Sequence, residues 1–307
     1  MINAISIKGL KKTYATGVEA LKGVNLDIQQ GDFFALLGPN GAGKTTIIGI
    51  IAGLVNKTGG TVSVASHDID TSPEVARSHI GVVPQEFNFN IFERVIDIVV
   101  NQAGYYGIER VKATNDAEGI LKQLGLWDKR NDASRALSGG MKRRLMIARA
   151  LIHHPKILIL DEPTAGVDIE LRRSMWDFLR ELIKKGITII LTTHYLEEAE
   201  QLAKHLAIID KGEIVEHGSV KELLSKLHVE AFIFDLDREV SNDALQSLTD
   251  FKVKKLDENT IEMNLTKNQT LNTAISALSK AGLNVTSMRN KSNRLEELFL
   301  NLTGEKV

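Results

Sequence analysis

The 307-residue chain predicts an α/β fold, a parallel-sheet core with an antiparallel β region before it and a helical region within it, followed by a small α+β domain. Three observations carry this. Short continuous apolar runs at Phe33-Phe34-Ala35-Leu36-Leu37, Ile157-Leu158-Ile159-Leu160 and Ile187-Thr188-Ile189-Ile190-Leu191 suit strands buried on both faces, and helical patterns lie between them. The first run leads through Gly38-Pro39-Asn40-Gly41-Ala42-Gly43-Lys44-Thr45 into Thr46-Ile47-Ile48, a strand, loop and helix start with the spacing G-x-x-x-x-G-K-[ST]. After Gly218 the composition shifts to short alternating strands and amphipathic helices without residues suited to catalysis.

Composition sets the outer limits. Hydrophobic residues at 43% and charged residues at 25% allow a proper core, and the length suits one large domain and a smaller one. A formal net charge of −1 gives no global pull toward nucleic acid or anionic lipid, so partners must be recognised by shape and no nucleic acid is expected. The chain has no cysteine, which excludes disulfides and thiolate metal sites and fits a reducing compartment. No apolar run reaches the roughly 18 residues that span a bilayer, and Met1-Ile2-Asn3-Ala4 lacks the form of a signal peptide. Any membrane role would require another chain to do the spanning.

In order, Ile5 and Ile7, then Val24, Leu26 and Ile28, alternate with polar residues and predict two half-buried antiparallel strands. Tyr14 between them is either a surface ring or one that stacks on a purine face. The glycines of the loop let successive backbone N–H groups turn inward on a triphosphate, and the helix N-terminus adds positive partial charge. Lys44 would reach the β- and γ-phosphates, and the Thr45 hydroxyl would be one ligand of Mg²⁺. Val62 and Val64, then Ile80 to Val83, predict further strands, the latter followed by Pro84-Gln85-Glu86. From Asn90 to Gly107 the pattern is helical with apolar groups on several sides, which suits either a deeply buried helix or a docking surface.

Leu137-Ser138-Gly139-Gly140-Met141 opens a helix, so Ser138 and the two glycines form a second anion-ready helix start. The basic residues Lys142, Arg143, Arg144 and Arg149 read best as a solvated face. The strand Ile157 to Leu160 delivers Asp161-Glu162 at its carboxyl end, the edge where α/β sheets bind ligands. Two adjacent carboxylates there are costly unless they face a cation or carry chemistry. The next strand ends in Thr192-Thr193-His194, which places His194 beside the phosphate edge, whereas the other histidines read as structural. Beyond a capping box at Ser219 to Glu222, the order β-α-β-β-α-β over the tail suggests a ferredoxin-like domain, closed by an amphipathic helix with Leu295, Leu298, Phe299 and Leu302 on one face.

Taken together, the P-loop, Gln85, Leu137 to Met141, Asp161-Glu162, Asp168 and His194 resemble the ordered motif set of ATP-binding cassette (ABC) ATPases, across residues 1–220. The resemblance implies a P-loop NTPase of ABC type, with a RecA-like core, an antiparallel β subdomain and an α-helical subdomain. It implies a nucleotide-binding domain at 1–220, and the remaining 221–307, with a core but no chemical site, is expected to be a small regulatory or dimerisation domain. By resemblance, Tyr14 stacks on adenine, residues Gly38, Pro39, Asn40, Gly41, Ala42, Gly43, Lys44, Thr45 and Thr46 bind ATP, and Thr45, Gln85 and Asp161 surround Mg²⁺. Glu162 becomes the general base, His194 contacts the γ-phosphate and positions the water, and Lys44 and Gln85 complete the catalytic set. Ser138, Gly139 and Gly140 of the partner subunit close the cradle, which implies a two-fold homodimer, and Asp168 links the two sites.

Met141 stands where many members carry glutamine, which removes any polar contact of that side chain but leaves the backbone cradle. Leu-Ser-Gly-Gly-Met-Lys-Arg-Arg and the tail Leu295 to Gly304 are similar to ATPases of ABC-2-type exporters. That implies a separate ABC-2-type membrane permease as partner and a cytoplasmic protein held on the cytoplasmic face of the inner (plasma) membrane through it. The competing expectation is a soluble ABC ATPase acting on ribosomes or DNA. Against it stand a single set of motifs, the absence of a long coiled coil between P-loop and signature, and balanced charge.

Overall fold

The computed structural model describes residues 2–164, 169–193, 195–225, 229–241, 244–245, 247–266, 268–291 and 294–304. Its chain divides into two compact units, Met1–Gly218 and Ser219–Val307. In the first unit the strands are β1 (Asn3–Thr13), β2 (Glu19–Gln29), β3 (Phe33–Leu37), β4 (Gly59–Val64), β5 (His67–Asp68), β6 (Ile80–Val83), β7 (Ile157–Asp161), β8 (Thr188–Thr192), β9 (His205–Asp210) and β10 (Glu213–Ser219). Its helices are α1 (Lys44–Ile51), α2 (Pro73–Ser78), α3 (Val95–Gly104), α4 (Arg110–Gln123), α5 (Gly139–Leu151), α6 (Ile169–Lys184) and α7 (Leu196–Leu202).

Two sheets organise this unit. An antiparallel sheet runs β2-β1-β4-β5, with Ile5 opposite Ile28 and Val64. The six-stranded sheet runs β10-β9-β3-β8-β7-β6, and the pairs β9/β3, β3/β8, β8/β7 and β7/β6 are parallel. Successive residues of its strands enter opposite cores. Phe33, Leu158, Leu160, Ile189 and Leu191 pack with α3, α4, α5 and α6, whereas Phe34, Ile157, Ile159 and Ile190 pack with α1 and the antiparallel sheet. A strand sandwiched this way needs apolar residues at every position, which is why these segments read as continuous runs.

The expected helix from Asn90 to Gly107 is shorter in the structure. Asn90 accepts from Phe92 N at its side chain (3.0 Å) and from Ser134 Oγ at its carbonyl (3.1 Å), and Arg94 bridges to Ala133, so residues 90–94 form a turn before α3 begins. Val95, Ile98, Val99 and Val100 of α3 are buried in the core. Phe87, Ile91 and Phe92 before it and Tyr105 and Tyr106 after it are exposed. The buried reading of this apolar segment therefore holds for α3, and its exposed residues lie at the two ends.

The second unit begins with α8 (Val220–Leu224), whose N-cap Ser219 and Glu222 form the expected capping box. Four strands follow, β11 (Val229–Leu236), β12 (Lys252–Lys255), β13 (Thr260–Thr266) and β14 (Val285–Asn290), in the order β12-β13-β11-β14, every neighbouring pair antiparallel. With helix α9 (Leu271–Lys280), alternate residues of β11 and β13, among them Phe232, Phe234, Ile261 and Met263, form a core. The closing helix α10 (Arg294–Thr303) buries Leu295, Leu298 and Phe299.

Candidate active site

The loop after β3 owes its shape to close approach. A Cβ on Gly38 would lie 2.3 Å from the Ile209 carbonyl oxygen of β9, and one on Gly43 would lie 2.8 Å from Leu21 Cδ2. Gly41 and Gly43 hold φ values of 79° and 113°, which glycine adopts without steric cost. Gly43 is the N-cap of α1 and offers no side-chain cap, so the helix start meets a ligand with backbone N–H groups. Lys44 is buried and its Nζ donates to the carbonyls of Gly38 (2.6 Å) and Pro39 (3.0 Å). Burial draws its pKa down, while the charges of Glu162 and Asp161 raise it, so both carboxylates lie within electrostatic reach of this ammonium. Thr45 is exposed at the loop, next to Thr46, whose Oγ1 lies 3.2 Å from the Tyr14 hydroxyl. The Tyr14 ring stands beside the loop, with Lys12 Nζ 4.8 Å from its centroid.

At the carboxyl ends of β7 and β8 the acids are fixed by neighbours. Asp161 accepts from the Thr192 hydroxyl, and Glu162 N donates to the Thr192 carbonyl at 3.0 Å. Glu162 has a φ of 47°, a left-handed backbone that a side chain pays to occupy. Gln85 Nε2 donates to Glu162 Oε2 at 3.1 Å, which brings the loop after β6 onto the same edge. Lys44, Gln85, Asp161 and Glu162 thus converge. His194 and Asp168 lie outside the described residues. Ser138 caps α5, its Oγ accepting from Met141 N at 3.3 Å, with Gly139 and Gly140 in the first turn.

The basic residues of α5 are not the solvated face expected. Arg143 is buried and donates from Nη1 to the Pro84 carbonyl (2.8 Å) and from Nη2 to the Gln85 carbonyl (2.9 Å). Arg144 donates to the Leu124 carbonyl at 3.0 Å, and Arg149 holds Asn88. These are tertiary contacts, and a guanidinium fork satisfies loop carbonyls that no sheet or helix pairs. Arg143 therefore supports Gln85, a role that helical periodicity does not signal.

The arrangement suits a magnesium-bound nucleoside triphosphate. Among the described residues no group of three His, Cys, Asp or Glu could hold a metal by itself. A hard cation carried on phosphates needs only one or two carboxylates and neutral oxygens, and Asp161, Thr45 and Gln85 carry groups of that kind. The glycine cradle, the buried lysine and the carboxylate edge define a P-loop ATPase. The sequence pattern for ABC transporters matches residues 21–165. Linearmycin resistance ATP-binding protein LnrL of Bacillus subtilis is 34% identical over 98% of this chain and 98% of its own. Daunorubicin/doxorubicin resistance ATP-binding protein DrrA of Streptomyces peucetius is 34% identical over 98% of this chain and 92% of its own. Among solved structures, cbiO1 from Clostridium perfringens, part of the transporter complex cbiONQ, has a TM-score of 0.67 and 30% identity over 74% of this chain and 92% of its own. A post-hydrolysis dimer of the ATP-binding cassette MJ0796 bound to ADP and Pi has a TM-score of 0.64 and 29% identity over 70% of this chain and 98% of its own. The chain belongs to the ATP-binding cassette family and is an ABC ATPase.

Proposed function

We propose that this chain is the ATP-hydrolysing subunit of an ABC-2-type exporter, working as a homodimer on the cytoplasmic face of the plasma membrane through a separate permease. The convergence of Lys44, Gln85, Asp161 and Glu162 at one sheet edge carries the hydrolytic part of the reading. Full-length likeness to LnrL and DrrA supports the exporter part. No helix among the described residues is long and apolar enough to cross a membrane, in keeping with a permease on another chain.

In this reading the loop from Gly38 to Thr46 and Lys44 bind the phosphates, and Tyr14 stacks on the adenine. Thr45, Gln85 and Asp161 hold Mg²⁺, which when bound neutralises charge on the transferred phosphoryl group. Glu162 orients and polarises the attacking water, helped by His194, and Ser138, Gly139 and Gly140 of the partner subunit close over the γ-phosphate. The exposed Phe87, Ile91 and Phe92 receive the permease. The strand order β12-β13-β11-β14 supports a ferredoxin-like second domain, over 221–307, that stabilises or regulates the dimer.

The test is a pull-down of tagged Glu162→Gln protein with ATP from detergent-solubilised cells. A multi-span membrane protein in comparable amount supports the reading. Ribosomes or DNA without a membrane partner would leave the ATPase standing and overturn the transport role.

A further inference from the structure

Glu198, on α7, is a fully buried carboxylate with no part in the chemistry described above. Its Oε1 accepts from Thr164 Oγ1 at 3.1 Å and from Trp176 Nε1 of α6 at 3.1 Å. Oε2 has no hydrogen-bond partner among the described residues. Burial pushes the carboxyl pKa up, against the pull of donors on Thr193, Trp176 and Thr164 and of the Arg172 charge. A buried carboxylate costs more than an apolar side chain of similar size, so packing alone does not explain it.

What Glu198 holds is the turn that carries Glu162. On its N-terminal side the acid pair is anchored to β8, through the Thr192 hydroxyl on Asp161 and Glu162 N on the Thr192 carbonyl. On the C-terminal side Pro163 has no N–H to give, so Thr164 is the first residue able to tie the turn down with a donor. Thr164 is itself fully buried, and its hydroxyl goes to Glu198. Between these two anchors Glu162 keeps a left-handed φ of 47°. Such a conformation persists only where the surroundings over-determine it.

We propose that Glu198 is a positioning residue for hydrolysis, fixing the Pro163-Thr164 turn through the Thr164 hydroxyl so that the Glu162 carboxylate stays aimed at the attacking water. The inference rests on the reading of Glu162 as general base. It predicts a loss in turnover without a loss in nucleotide affinity, because the phosphate loop is held between β3 and α1, away from the Pro163-Thr164 turn in the chain.

The experiment compares Glu198→Ala, Glu198→Gln and Thr164→Val in the purified full chain, measuring kcat for ATP and equilibrium affinity for a fluorescent ATP analogue. Glu198→Ala should lower kcat about 100-fold, the scale of a misplacement near 1 Å. Affinity should stay within about twofold, which marks an interaction felt in the transition state. Glu198→Gln keeps a carbonyl acceptor for the Thr164 and Trp176 donors and should recover kcat to within about threefold of the parent. Thr164→Val leaves Glu198 in place and should still slow turnover about tenfold; it carries the test if the alanine variant does not fold. Parental kcat in Thr164→Val, equal losses in kcat and affinity, or a glutamine variant as slow as the alanine one would each overturn the inference. Glu162→Gln in the same assay separates the two readings. Persistent hydrolysis there would remove the general base itself, whereas its loss beside unaffected Thr164→Val would sink only the role of Glu198.

Discussion

Replacing Arg143 by methionine tests whether the helix after the Ser-Gly-Gly signature supports the catalytic edge. The change leaves the Pro84 and Gln85 carbonyls without the donors that now sit 2.8 and 2.9 Å away. A hydrogen bond to a charged group contributes about 1.5–3 kcal/mol, so losing this part-buried pair costs about 3–6 kcal/mol. Burying a methionine in place of a guanidinium whose Nε already lacks a partner returns about 1.5–3 kcal/mol. The net is a destabilisation of about 0–4.5 kcal/mol, centred on about 2 kcal/mol, and at 2–4 °C per kcal/mol for a unit of this size Tm should fall by about 4–8 °C at that centre. Turnover should suffer beyond that, because the same loop places Gln85 Nε2 against Glu162 Oε2. Differential scanning fluorimetry and a coupled ATPase assay measured at a temperature where both proteins are folded provide the readout. Arg143→Lys, with one ammonium in place of a fork, should fall between parent and methionine variant. An unchanged Tm together with an unchanged rate would refute the support role.

Other predictions follow from single contacts. Gly38→Ala should cost about 1–3 kcal/mol and most of the nucleotide affinity, since its Cβ would press to 2.3 Å on the Ile209 carbonyl; full affinity by titration with a fluorescent ATP analogue would contradict the cradle. Phe92→Asp, at a residue 66% exposed, should change stability by no more than about 0.5 kcal/mol yet abolish co-purification of the permease, and a retained permease would rule out this docking surface. Deleting residues 229–307 should alter ATP-dependent dimerisation, read by light scattering, or the basal ATPase rate; no change in either would leave the second domain without the role proposed.

Much of this architecture is legible in the sequence because burial writes a pattern. β3 and the interiors of β7 and β8 are apolar without a break since both faces are covered, with Asp161, Thr188 and Thr192 only at strand ends, and β1, β2, β11 and β13 alternate since one face packs. Gly38 and Lys44 are equally legible, because a loop that closes on phosphate tolerates few residue types at fixed spacing. What the pattern hides is decided by partners distant in sequence. Nothing local distinguishes Arg143, which meets the Gln85 carbonyl 58 positions away, from a solvated arginine on the same helix. Asn90 turns the chain in part through its own side chain on Phe92 N, and in part because Ser134 reaches its carbonyl from 44 positions on. Glu198 looks like one of several acids in Glu197-Glu198-Ala199-Glu200, and only the fold buries it.

The left-handed backbone at Glu162 sets selection for endurance against selection for work. Glycine would hold a φ of 47° without the penalty of a Cβ, a difference of about 1–2 kcal/mol per residue. A library of this protein screened for heat resistance alone should therefore enrich glycine at position 162 and discard the carboxylate. On the proposed role of Glu162 as general base, the glutamate keeps a less stable turn in exchange for turnover, and any thermostable derivative must recover the lost stability elsewhere.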